Sequence, residues 1–239
     1  MADPVQSLLD PFLADVDRVL NGRYSAVLYG SAARGEYVQG RSDVNLLMVL
    51  DDTGHAALRS LGPALGAWRK AAQEPPLLLG RSEWLGAADA FPIEISDMRS
   101  AYRVMRGADP LAGITVARAD LRRALEREFR GKLIRLRQGY AALAADPAAL
   151  GAVTAESVGT ILVLYRALLD LLGRPVPRES AAVVSAAAEA VGFPEAALAD
   201  VVAARGDRKW RGTVAAVEGY LDTVARTADY VDHLQLGDQ

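Results

Sequence analysis

The apolar residues of this chain follow two different periods, and the change between them near residue 112 limits the folds available. Before it, short apolar runs read as buried strands: Tyr24-Ser-Ala-Val-Leu-Tyr-Gly30, closed by glycine, and Asp43-Val-Asn-Leu-Leu-Met-Val-Leu50, closed by Asp51-Asp52-Thr53-Gly54. Pro92-Ile-Glu-Ile-Ser96 alternates, with Ile93 and Ile95 on one face and Glu94 and Ser96 on the other, which predicts a further strand. Leu77–Leu79 is a brief strand candidate. Helical spacing covers Val5 to Leu20, stopped by Gly22, then His55 to Ala72, stopped by Pro75-Pro76, and residues 98–106. From Arg118 onward the period is helical only. Leu121, Leu125, Phe129, Leu133, Leu136, Tyr140 and Leu143 step by three or four along one long helix that Asp146-Pro147 breaks. Further helices fit 148–172, 180–191, 195–204 and 213–235, with breaks at Gly173–Pro177, Gly192–Pro194 and Gly206. The expected architecture is an α/β (α+β) N-terminal domain with a mixed sheet, residues 1–112, followed by an all-α helical bundle, residues 113–239.

Charge and cysteine content narrow the chemistry. The formal net charge is −3 over 239 residues. Indiscriminate coating of nucleic acid rests on excess Lys and Arg, so a long nucleic acid is not an expected partner. With no cysteine, a disulfide framework, a thiolate metal site and a Cys nucleophile are all excluded. His55 and His233 are the only histidines, too few for a His-rich metal centre. No uncharged apolar run of about 18 residues is present, and Asp3, Asp10, Asp15 and Asp17 are unlike a secretory leader. No membrane association and a cytoplasmic location are expected.

The residues that bear chemistry cluster between 30 and 45. A strand runs into Gly30-Ser31, a polar turn carries Arg34 and Ser42, and the next strand opens with Asp43. Glycine lets backbone approach a phosphate closely, and Ser31 with the following N–H groups can donate to phosphate oxygens. Asp43 and Asn45 lie two apart on extended chain and face one way, as two oxygen ligands for Mg²⁺ or Mn²⁺. Glu94 offers a further carboxylate, as metal ligand or as general base for a substrate hydroxyl, with Asp97 as the fallback. The bland readings are a turn-capping role for Asp43, a surface position for Arg34 and a structural ion pair for Glu94.

At these residues the chain resembles the nucleotidyltransferase superfamily, the polymerase-beta-like fold, and within it the small-molecule branch that includes the aminoglycoside nucleotidyltransferases. The family pattern is Gly-Ser, a polar turn, Asp-x-Asp opening a strand and a third acid on a later strand. GSAARG and SDVNLL match the first two parts, and PIEISD resembles the third. The resemblance implies phosphate contacts from Gly30, Ser31, Arg34 and Ser42, metal ligation by Asp43, Asn45 and Glu94, and catalysis by Asp43 and Glu94. It implies transfer of a nucleoside monophosphate from an NTP, ATP first, to a hydroxyl of a small-molecule acceptor. Oligomeric state is left open by the sequence, with a homodimer among the alternatives. The departure is Asn45, where the family has its second acid. An amide brings no negative charge, and paired ions about 3.5–4 Å apart need anionic ligands between them. The alternative function is therefore a catalytically degenerate nucleotide-binding or regulatory module on the same fold. A last candidate is Arg226 with His233, whose spacing on a late helix resembles that of helical ribonucleases that pair with small nucleotidyltransferases.

Overall fold

The computed structural model describes residues 3–40, 42–71, 73–205 and 209–236. Arg41 of the polar turn, Ala72 at the expected helix end and the break at Gly206 lie outside the described residues. The chain divides into two compact units: residues 1–91 with 101–115, and residues 92–100 with 116–239.

The first unit is built on a four-stranded mixed sheet. Its elements are α1 (Pro4–Leu20), β1 (Tyr24–Tyr29), α2 (Ser31–Arg34), β2 (Asn45–Leu50), α3 (His55–Ser60), α4 (Gly62–Lys70), β3 (Leu77–Gly80), α5 (Arg81–Leu85) and β4 (Tyr102–Arg106). The strand order is β3-β2-β1-β4. β1 runs antiparallel to both β2 and β4, and β2 runs parallel to β3. β1 and β2 are apolar along nearly their whole length because both are central strands, buried on both faces. Leu9, Phe12, Leu13 and Val16 of α1 pack with Leu28, Leu46 and Met48 of the sheet and with Trp68 of α4. Asp17 ties three elements together: it accepts from Tyr24 Oη at 2.6 Å and from Arg106 Nε at 2.9 Å.

Two expectations change here. Residues 98–106 do not form one helix; Tyr102–Arg106 is the edge strand β4. An edge strand owes its place to backbone pairing, so its side chains are exposed or half-buried and show no apolar period. The predicted helix from His55 onward is two helices, α3 and α4, broken at Leu61 where Gly62-Pro63 restarts the chain.

The second unit is helical: α6 (Pro92–Ser100), α7 (Arg118–Leu143), α8 (Pro147–Leu171), α9 (Ser180–Val191), α10 (Ala196–Ala203) and α11 (Val214–His233). Asp146 caps α8 by accepting from the Ala148 and Ala149 N–H groups, each at 3.1 Å, with Pro147 at the first helical position. The core holds a run of rings, Phe129, Tyr165 and Phe193, with successive centroids 5.5 and 5.7 Å apart. The buried phenols inside it are hydrogen-bonded: Tyr165 Oη lies 2.9 Å from Thr227 Oγ1, and Tyr220 Oη lies 2.8 Å from Ser157 Oγ. Burial pushes both phenols above their ordinary range. α8 is long and apolar enough to cross a membrane, and half of its most apolar window is buried within the fold.

The strand expected at Pro92–Ser96 is instead the first half of α6. Pro92 suits the first turn of a helix, where its missing N–H removes no bond. Pro92, Ile93, Ile95, Ser96, Asp97 and Met98 are all buried. A helix buried on most sides displays no 3.6-residue period, and its IEI core then imitates strand alternation.

Candidate functional site

The site starts where β1 and β2 stop pairing. The last matched residues are Tyr29 and Asn45. Gly30 follows with φ 76° and ψ −151°, a backbone conformation that is essentially glycine's alone. A Cβ at Gly30 would lie 2.8 Å from Asn45 Nδ2, so the Asn45 side chain occupies the space that glycine leaves. The chain then turns into α2, beginning with the buried Ser31. Among the described residues the Ser31 hydroxyl has no hydrogen-bond partner, which leaves it available to a ligand.

The return loop is fixed by a reciprocal pair of bonds. Val38 N–H donates to Ser42 Oγ at 3.1 Å, and Ser42 N–H donates to the Val38 carbonyl at 2.8 Å. Val44 N–H donates to Gln73 Oε1 at 3.0 Å, which holds the approach to β2. Between these anchors Asp43 is exposed and, among the described residues, has neither a hydrogen bond nor an ion pair. The turn-capping role weighed for it is therefore absent. Asp43 lies two residues before Asn45, just ahead of the strand itself, which begins at Asn45.

Arg34 is turned inward. Its side chain is 4% exposed, with Nε 3.7 Å from Glu36 Oε2. Glu94 belongs to the second unit, exposed on the helix α6. Asp97, one turn further, is the buried acid of that helix. β3, the strand next to β2, reads Leu77-Leu78-Leu79-Gly80 and carries no acid.

The structure thus brings together Gly30, Ser31 and Asn45, with Asp43 and Ser42 on the adjoining loop. One carboxylate and one amide suit a single Mg²⁺ that completes its sphere with phosphate oxygens and water. They do not suit a pair of bridged ions. Among the described residues no group of three or more His, Asp or Glu side chains is placed to hold a metal ion. Arg226 and His233 of α11 have separate partners: Arg226 donates to the Gly192 carbonyl at the end of α9, and His233 Nδ1 lies 2.9 Å from the Asp229 carbonyl.

Gln73, which anchors the approach to β2, was not foreseen, because its partner Val44 is 29 positions away and a lone glutamine carries no signal. A polar cavity in the second unit was missed for the same reason, since it joins residues around 96, 118 and 170.

No family model matches the chain, and no curated protein matches it in sequence. Among solved structures, the fold is similar to the crystal structure of spectinomycin adenyltransferase AAD(9) from Enterococcus faecialis with ATP and spectinomycin. The TM-score is 0.54 at 14% identity, over 93% of this chain and 98% of that one. The likeness is one of fold: a mixed-sheet α/β region and a helical region.

Proposed function

We propose that this protein is a nucleotidyltransferase acting in the cytoplasm, which moves a nucleoside monophosphate from ATP to a hydroxyl of a small-molecule acceptor. The acceptor oxygen attacks the α-phosphorus, the bond between that phosphorus and the bridging oxygen to the β-phosphate breaks, and pyrophosphate leaves. The observation that carries the reading is the unpartnered Asp43 carboxylate beside the Gly30–Ser31 bend, on a fold similar to that of an adenyltransferase. In this reading Gly30 lets the triphosphate approach the backbone, and the Ser31 hydroxyl and first-turn N–H groups of α2 donate to its oxygens. Asp43, with Asn45 as a neutral ligand, holds Mg²⁺, which supplies charge neutralisation on the phosphates when bound. Ser42 can donate its hydroxyl while it accepts from Val38. The proton-accepting role assigned to Glu94 is part of the same proposal.

The test measures ATP binding by calorimetry and transfer of labelled AMP with Mg²⁺ or Mn²⁺, using spectinomycin and related hydroxylated amines as acceptors. Wild type is expected to bind ATP and to transfer. Asp43→Ala is expected to abolish transfer, and Glu94→Gln to lower kcat. Failure to bind ATP overturns the proposal. Binding without transfer to any acceptor, with activity gained by Asn45→Asp, replaces it by a nucleotide-binding module.

A further inference from the structure

The second unit contains a cavity of about 320 Å³ that the transferase reading does not use. α6 contributes Ser96, Arg99 and Ser100 to its wall, the start of α7 contributes Arg118, and the end of α8 contributes Asp170. Val116, Leu121, Leu171 and Val176 supply apolar surface. Its volume lies at the lower end of the range of small-molecule sites, and five of its nine lining residues are polar or charged.

Arg99, Arg118 and Asp170 reach solvent at this wall. Arg118 is the first residue of α7, where the positive end of the helix disfavours a cation. Asp170 is next to last in α8, where the negative end disfavours an anion. Each position is set against its helix dipole. They do not neutralise each other either: among the described residues neither has an ion-pair partner within 4.0 Å. Both are nevertheless held in place. Arg118 Nη2 donates to the Leu171 carbonyl at 3.0 Å, which leaves four further N–H donors. Ser96 Oγ donates to Asp170 Oδ2 at 2.7 Å, which leaves the other carboxylate oxygen open. The first-turn N–H groups of α7 have no side-chain cap, because the residue before the helix is Ala117.

We propose that this cavity binds a small zwitterion of the amino-acid type. The ligand's anionic group meets Arg118 and the uncapped start of α7. Its ammonium meets the open carboxylate oxygen of Asp170. Both mismatches with the helix dipoles then turn into complementarity, because the ligand supplies the opposite charge at each pole. A simple phosphate is opposed by Asp170, and a simple amine by Arg99 and Arg118. The proposal is independent of the transferase reading.

The experiment is calorimetric titration of the full chain with the proteinogenic α-amino acids, and separately with phosphoethanolamine, whose anion is a phosphate. The best binder is retested as its N-acetyl derivative, which lacks the ammonium, and as its amide, which lacks the carboxylate. Binding of one or more zwitterions, with at least a tenfold loss for each blocked derivative and for Arg118→Gln and Asp170→Asn, supports the site. Phosphoethanolamine bound more tightly than any amino acid names phosphate as the anion. The blocked derivatives are read on wild type, so the test stands even if a variant misfolds. No zwitterion bound at about 10 mM, weaker than a useful site of roughly millimolar affinity, overturns the proposal. So does binding that either blocked derivative retains.

Discussion

Asn45→Asp is the perturbation that separates a site built for one ion from a site built for two. It places a second carboxylate two residues from Asp43, about 6.7 Å along extended chain. Two unit charges at that distance repel by roughly 0.6 kcal/mol in bulk water and roughly 2.5 kcal/mol at an effective dielectric of 20. Asp43 is exposed, so the lower part of that range applies, about 1 kcal/mol. Without divalent ions the variant should therefore melt about 2–4 °C below wild type. A cation held between the two carboxylates reverses the sign, and at a concentration about 100 times its Kd it stabilises by roughly 2.7 kcal/mol. The assay is thermal melting of both proteins in chelator and in excess Mn²⁺. The expected result is a crossover, with the variant lower in chelator and higher in Mn²⁺. Equal melting temperatures in chelator, or a Mn²⁺ response no larger than that of wild type, would show that residues 43 and 45 do not face a common point.

Other substitutions probe the frame around the site. Gly30→Ala forces a side chain into a glycine-only backbone conformation and against the Asn45 amide, and strain of that kind is worth about 1–3 kcal/mol; chemical denaturation should show the loss, with ATP binding lost alongside it. Gly151→Ala drives a methyl group into the Trp210 carbonyl, so it should remove about 1–3 kcal/mol from the helical unit, read as a lowered melting temperature. Burial alone would raise the Asp17 pKa, but hydrogen bonds from Tyr24 and Arg106, with the Arg106 charge, hold it below its ordinary 3.8. A lowered carboxylate stabilises the fold above pH 4, and that contribution is lost as pH falls through the lowered value. Asp17→Asn should therefore flatten acid unfolding below pH 4, by at most about 1 kcal/mol at these half-exposed side chains; an unchanged acid limb refutes the role of this cluster.

The sequence made the elements legible wherever one face of an element dominates its burial. α1, β1, β2, α7, α8, α9, α10 and α11 all lie within a few residues of their expected places. Their ends were legible too when a residue's chemistry fixes them, as Asp146 and Pro147 do before α8. Misreadings fell where burial is nearly all round, in α6, or only partial, in β4. In both cases the side chains stop reporting the backbone period. The Gly30–Ser31 bend was readable because its backbone conformation demands glycine. The helix position of Glu94 and the inward turn of Arg34 were not, because packing decides both.

Asn45 has one property that an acid in its place lacks: its amide donates as well as accepts. The β1–β2 ladder ends at Tyr29 and Asn45, so the N–H groups just beyond it have no strand partner, and the Asn45 Nδ2 group lies over the same bend. A phosphate oxygen placed there would meet N–H donors from the bend and the amide together. A carboxylate at residue 45 would repel it unless a cation intervened. Wild type should therefore keep most of its ATP affinity in chelator, whereas Asn45→Asp should lose at least tenfold there and recover it with Mg²⁺, a difference of about 1.4 kcal/mol. Calorimetric titration of both proteins with ATP, with and without chelator, decides the point. If wild type loses ATP as completely as the variant when divalent ions are removed, the amide is not a phosphate donor and Asp43 with its cation alone holds the nucleotide.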